Sequence, residues 1–317
     1  MKKVLSYVII TPARNEAEFI ELTLKSVTAQ TVPPLKWVIV SDGSTDDTDT
    51  IVEKYSATYP WIELLRMPKR KERHFAGKVH AFNAGYERVR DLDYEVIVSL
   101  DADISFDPAY FSFLLNRLSS DGRLGLVGTP FQEPSGLKYD YRFTSIEHVS
   151  GACQVFRRAC FEEIGGYQPV KGGSIDHIAV ISSRMKGWKT RTFPEMVCMH
   201  HRPVGTAQRG ALSSKFQGGL KDYRIGNHPL WEFCRVLYQM TKPPRCLGGL
   251  ALGCGYMSAW IRKTERPVPN DLVDFHRREQ MQRIKRACGF GTSRSTEPGG
   301  RPSAEDLGPT ESVKGES

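Results

Sequence analysis

The stretch Val4-Leu5-Ser6-Tyr7-Val8-Ile9-Ile10-Thr11, followed at once by Pro12-Ala13-Arg14-Asn15-Glu16, sets how the rest of the chain is read. With Met1-Lys2-Lys3 ahead of it, the run superficially imitates a signal peptide, but it is only about as long as the shortest apolar core of one. Its abrupt end in a turn, before a polar-faced helical pattern over residues 16–30, fits a buried first strand better. The same alternation repeats outward. Apolar, β-branched runs at 37–41, 62–66, 95–100 and 124–128 are separated by helical spacing over 46–59, 78–90 and 108–119. Strands alternating with helices indicate an α/β fold, a Rossmann-like and mostly parallel sheet with helices on both faces. Beyond residue 130 the pattern loosens into a helix, or a strand plus helix, over 151–166, a helix over 176–186 and a short strand over 196–200.

Residues able to do chemistry collect where the strands end. Residues 11–16 follow the first strand and Ser41-Asp42-Gly43-Ser44-Thr45-Asp46 the second, where open α/β sheets bind ligands. Asp42 could accept from a ribose hydroxyl or a base N–H there, although the same residues are ordinary turn and capping chemistry. Asp101-Ala102-Asp103 follows the strand over 95–100; extended-chain alternation would turn both carboxylates to one side, toward a hard divalent cation and a diphosphate, and a solvated loop could carry them too. In Gly77-Lys78-x-x-Ala81-x-Asn83-x-Gly85, Lys78 near a helix start offers a point charge to a phosphate, or simply belongs to an amphipathic helix. Asp176, after Gly172-Gly173-Ser174-Ile175, could be a general base or an N-cap, and His200-His201-Arg202 after a strand could supply metal ligands.

Taken in order, these motifs, together with Gly165-Gly166-Tyr167 and Gly187-Trp188, resemble the family 2 inverting glycosyltransferases of GT-A fold, from about residue 4 to 202. The resemblance implies a transferase that uses a nucleotide-diphosphate sugar. Thr11, Pro12, Ala13, Asn15, Glu16 and Asp42 would hold base and ribose, Lys78 the diphosphate, and Asp101 with Ala102 the ribose and metal region. Asp103 would ligate Mn2+ or Mg2+, with His200 as a further ligand and His201 as the fallback. Asp176 would deprotonate the acceptor hydroxyl for in-line attack with inversion. Ile175 stands where the family has a glutamate, and Ser182 where an arginine is expected, with Arg184 nearby. The Gln-x-x-Arg-Trp motif of processive synthases is missing, as are clear transmembrane helices. A single addition, in bacterial-type cell-surface glycan or glycolipid synthesis, follows. Two alternatives remain: a haloacid-dehalogenase-like phosphatase using Asp101 as nucleophile, and a catalytically silent nucleotide-sugar-binding scaffold.

Charge divides the chain. The 317 residues carry a formal net charge of +8. Residues 1–199 hold 25 basic and 25 acidic groups, residues 200–290 hold 16 and 6, and residues 291–317 hold 3 and 5. This suggests a transferase domain over 1–203, a basic helical extension over 204–290, and a disordered tail over 291–317 rich in Gly, Ser, Pro and Glu. Within the extension, 246–261 is a charge-free run of sixteen residues with four glycines, short of the ~20 that span a bilayer. It is either a buried hairpin helix or an interfacial or re-entrant segment. Basic groups on both flanks point to a membrane surface and a glycan or lipid-linked acceptor, and no RNA-recognition signature supports nucleic acid. Seven cysteines without a C-x-x-C pair read as free thiols, so the expected location is cytoplasmic, peripheral on the inner face of the cell membrane.

Overall fold

The computed structural model describes residues 5–68, 76–134, 145–170, 173–202 and 210–289. The tail over 291–317, Gly172 and residues 138–144 lie outside these residues. In chain order the first half runs β1 (Tyr7–Ala13), α1 (Ile20–Thr28), β2 (Lys36–Ser41), α2 (Thr48–Thr58), β3 (Ile62–Arg66), α3 (Ala76–Glu87), β4 (Val96–Leu100), β5 (Ile104–Phe106), α4 (Tyr110–Ser120), β6 (Leu124–Gly128) and β7 (Phe131–Gln132). Then follow β8 (Cys153–Arg157), α5 (Arg158–Glu163), α6 (Ile175–Met185), β9 (Lys189–Thr192) and β10 (Cys198–His200).

Seven strands form one sheet in the order β3-β2-β1-β4-β8-β6-β9, and β5-β10-β7 form a small second sheet. The first four are parallel; β8 lies antiparallel between β4 and β6. Alternate residues of β1 enter opposite cores: Tyr7 and Ile9 pack with Leu24, Trp37, Phe111 and Leu114, whereas Val8 and Ile10 pack with Val38, Phe82, Phe156 and Tyr167. Burial on both faces is why these strands read as continuous apolar runs. Each fully buried large side chain contributes about 1.5–3 kcal/mol against about 0–1 for an exposed ion pair, so two-sided burial holds the sheet. Pro12 sits inside β1 without breaking it, because pairing with β4 ends at Ile10 and the missing N–H falls past that ladder.

The helical segment comprises α7 (Ala211–Ile225), α8 (Pro229–Met240), α9 (Leu247–Ile261) and α10 (Asn270–Ala287). Residues 211–225 form a full helix with Gly218 and Gly219 in its middle. The same glycines explain the glycine-rich run opposite. A Cβ at Gly219 would lie 2.0 Å from the Leu252 carbonyl oxygen, and one at Gly255 2.0 Å from that of Phe216. Bare backbone lets α7 and α9 cross almost in contact. The segment is joined to the sheet domain through a shared core in which Ile178 and Ile181 of α6 meet Ile225, Val268, Leu272 and Val273. No helix among the described residues is long and apolar enough to cross a membrane.

Gly219→Ala should lower stability by about 1–3 kcal/mol or more, because neither neighbouring backbone can give way. Gly122→Ala, whose Cβ meets nothing within 4 Å, should leave the thermal midpoint nearly unchanged; thermal unfolding of the two variants is the check.

Candidate active site

The ends of β1, β2 and β4 open on one edge of the sheet, and side chains tie the first two loops together. Asn15, in the left-handed region at φ 54, accepts from the Thr45 N–H at 2.8 Å, and its own N–H donates to Ser44 Oγ at 3.2 Å. The Glu16 N–H donates to Thr48 Oγ1 at 2.8 Å. Asp46 accepts from the Ala17 N–H at 3.0 Å and from Thr48. Burial would raise Asp46, but these donors outweigh it and hold the carboxyl below its ordinary value. Asp42 is buried at the end of β2, with Arg14 Nη1 3.9 Å from its Oδ2.

The expected donor residues divide into two sets. Thr11, Ala13 and Ala102 turn their side chains away from this edge: Thr11 accepts from the Trp37 indole N–H at 2.9 Å, and Ala13 and Ala102 are in the core. They offer the edge backbone only. Asn15 and Glu16 are locked into the loop junction, Glu16 by a two-point pairing with Arg202 at 3.2 and 2.6 Å.

At the end of β4, Asp101-Ala102-Asp103 forms a turn rather than the extended segment expected. The Asp101 N–H still bonds to the Ala152 carbonyl at 2.9 Å, and Thr23 of α1 donates to the Ala102 carbonyl at 2.8 Å while accepting from the Ile104 N–H at 3.1 Å. This clamp fixes both carboxylates. Pairing of β10 with β5 sets His200 opposite Ile104, and Asp101, Asp103 and His200 each bring a ligand atom to within 4.8 Å of the others. His200 Nε2 lies 3.8 Å from Asp103 Oδ1. His200 Nδ1 faces the Arg202 carbonyl, which can only accept, so Nδ1 carries the proton and Nε2 is free to ligate. His201 is not part of this group. Its Nε2 is 2.8 Å from Ser105 Oγ and its ring stacks on Phe19.

Lys78 contacts Asp101 directly. Burial alone would lower the ammonium, but Asp101, Asp176 and Asp103 hold it above its ordinary value. Asp101 itself is pushed up by burial, pulled back by Lys78 and raised again by Asp103. Two carboxylates, one imidazole and no thiolate suit a hard or borderline cation such as Mg2+ or Mn2+. Among the described residues, this is the one such cluster.

Asp176 lies in the first turn of α6 after Ser174, which has φ 68. Opposite it, Gly151 leaves room: a Cβ there would come within 2.7 Å of Asp176 Oδ2. Gln154, buried on β8, donates to the Asp176 carbonyl at 3.3 Å and accepts from Tyr167 OH at 2.5 Å. Tyr167 of the Gly165-Gly166-Tyr167 motif thereby supports the candidate base from below.

Next to Asp176 the helices frame an open cavity of about 440 Å3, lined by Ser174, by arginines and histidines including His177, and by the aromatic rings of α8. Sequence reading missed it, because its walls come from α6, α7, α8 and α10. Burial and the charges of Arg184, Arg283 and neighbouring arginines push His148 down to about 4 and His276 to about 3, with His177 also well below its ordinary value. All three imidazoles are neutral at neutral pH. Arg184 pairs with Glu279 at 2.8 and 2.9 Å, Arg235 with Asp222 at 2.7 Å and Arg283 with Glu147 at 2.7 Å.

The sequence profile described as "Glycosyl transferase family 2" matches residues 8–151, a span that includes Asp42, Lys78, Asp101 and Asp103. Over residues 8–151 the chain matches the family 2 glycosyltransferases. That match favours the transferase reading over the phosphatase alternative. The probable glycosyltransferase YdaM of Bacillus subtilis is 26% identical over 226 residues, covering 64% of this chain and 52% of its own length. Glycosyltransferase AglE of Haloferax volcanii is 30% identical over 145 residues, covering 44% of this chain and 45% of its own. The chain thus spans about half the length of these relatives. In fold, the chain resembles the mannosyltransferase PcManGT from Pyrobaculum calidifontis in complex with GDP-Man and Mn2+, with TM-score 0.55, 20% identity and coverage of 91% of this chain and 81% of that one.

Beneath the cavity, Asp222 and Glu232 each carry a buried oxygen without a hydrogen-bond partner. Burial and then the charge of Asp222 push Glu232 up to about 7. A folded-state value above the unfolded one means the folded state holds the proton longer, so stability is greatest below the unfolded value and falls as pH rises toward 7, by up to about 1.4 kcal/mol per unit. Glu232→Gln, which supplies a fixed donor, should flatten that decline between pH 5 and 8 in thermal melts.

Proposed function

We propose that the protein transfers one sugar, with inversion, from a nucleotide-diphosphate sugar to a hydroxyl of a glycan or lipid-linked acceptor. The observation that carries this reading is the convergence of Asp101, Asp103, His200 and Lys78 at the strand ends of a family 2 domain, with Asp176 facing the same region. A bound Mn2+ or Mg2+ would neutralise diphosphate charge as the leaving group departs. Asp103 and His200 Nε2 would hold that ion, and Arg202, paired with Glu16 and 4.0 Å from Asp103 Oδ2, fixes the orientation of both. Lys78 adds positive charge from the α3 side. Asp42 and the β1 loop receive the base and ribose, Thr11, Ala13 and Ala102 through backbone alone.

On the other side Asp176 takes the acceptor proton, which needs a carboxylate within hydrogen-bond reach of the hydroxyl. Gln154 and Gly151 position it. A single displacement with one base inverts the anomeric centre, and the cavity beyond His177 receives the rest of the acceptor. That PcManGT was solved with GDP-Man and Mn2+ supports the donor and cation classes. The seven cysteines stay unpaired, in keeping with a cytoplasmic site of action, which the proposal includes.

A panel of UDP-, GDP- and dTDP-sugars with Mn2+ should raise the thermal midpoint for one donor; a ligand at 100 times its Kd stabilises by ~2.7 kcal/mol. Asp176→Asn should keep that shift and lose transfer, whereas no shift with any donor would overturn the reading. Gly151→Ala, which crowds the Asp176 carboxylate, should cut kcat by about 100-fold with donor affinity kept.

A further inference from the structure

The helices α8 and α9 turn an apolar surface outward that nothing among the described residues covers. On α8, Leu230, Phe233 and Leu237 are 44, 59 and 48% exposed, at the i, i+3, i+7 spacing of one helix face. On α9, Leu250, Met257 and Ile261 repeat that stripe at i, i+7 and i+11, with Trp260 beside them, and Ile261 is 71% exposed. The opposite side of α9 is the glycine face pressed on α7 and α8. The helix is therefore amphipathic in an unusual sense: bare backbone inward, large apolar groups outward.

Charge selects the partner. Residues 233–264 contain no Asp or Glu and five basic groups, Arg235, Lys242, Arg245, Arg262 and Lys263. Of these, Arg245, Arg262 and Lys263 are exposed at the two ends of α9. A second copy meeting this face would bring like charges together, whereas an anionic headgroup layer would match them while its acyl boundary takes the apolar groups. We propose that the α8–α9 face is a monotopic docking surface for an anionic lipid bilayer, with Trp260, Phe233 and Ile261 as its inserted groups.

The same helix that docks also lines the cavity. Trp231, Arg235 and Tyr238, on the other side of α8 from the exposed stripe, face the cavity beside Asp176. Docking therefore holds that cavity close to the headgroup layer, where a membrane-borne acceptor presents its hydroxyl. This consequence, unlike the docking itself, rests on the reading of Asp176 as the base.

The test is co-sedimentation of the full chain with vesicles of phosphatidylglycerol and phosphatidylcholine, and with phosphatidylcholine alone. The wild type should pellet with the anionic vesicles and lose most of that binding with neutral ones or at high salt. Phe233→Glu and Trp260→Glu, outward-facing and expected to fold, should each reduce binding at least about tenfold, while circular dichroism and the donor-induced thermal shift stay unchanged. Equal sedimentation of wild type and both variants would overturn the proposal. So would a concentration-dependent dimer, abolished by Phe233→Glu, without vesicle binding. A wild type that docks but binds no donor would leave this inference standing and remove the transferase reading instead.

Discussion

Two carboxylates held at the end of one buried strand are the constraint around which this molecule is arranged. Asp101 and Asp103 repel each other, and an extended strand end in water would let them separate. Here they cannot. The β8 ladder still holds the Asp101 N–H, Thr23 bridges Ala102 and Ile104, and the Asp103 carbonyl accepts from the His201 N–H at 2.9 Å. Lys78 offsets the charge on one side and the His200–Arg202 end of β10 on the other. The small β5-β10-β7 sheet delivers that strand end, setting residue 200 close to residue 103.

A second constraint, steric rather than electrostatic, orders the other half. Glycines on α7 and α9 allow a crossing so close that any side chain at Gly219 or Gly255 would strike backbone. With the glycines spent on the inside, the large apolar groups of α9 face outward. The α10 helix then ties this pair to α6 through the Arg184–Glu279 pairing and the Ile178 core. The cavity beside the candidate base is a product of that assembly rather than of any one element.

How much could be read beforehand follows from how local each feature is. The β1 to β4 alternation was legible because both sheet faces are buried and the pattern repeats within short spans. Lys78, Asp101, Asp103 and His200, which the structure brings together, could be singled out because each stands in or beside a motif bound to an element end. Thr11 shows the limit: its hydroxyl is claimed by Trp37, a contact between neighbouring strands that spacing alone does not reveal. Gln154 carried no signal, being a lone polar residue in an apolar strand, and β8, one of the two readings of 151–166, gave no sign that it inserts antiparallel between β4 and β6. The helix α10 is so charged that its single buried stripe, Leu272, Val273, His276 and Gln280, is hard to see without its partner. Whether the run over 246–261 was buried or interfacial stayed open in the sequence. It is a helix with one face packed and one exposed; the buried reading accounts for the packed face, and the exposed face is the one for which lipid docking is proposed.

The assignment of the cation site is tested most directly by titrating Mn2+ into the protein and following free ion by electron paramagnetic resonance, with a nucleoside diphosphate present. One Mn2+ should bind per chain, and Asp103→Asn and His200→Ala should each weaken it at least about tenfold while His201→Ala leaves it unchanged. Equal binding by wild type and Asp103→Asn, or a loss confined to His201→Ala, would contradict the site described.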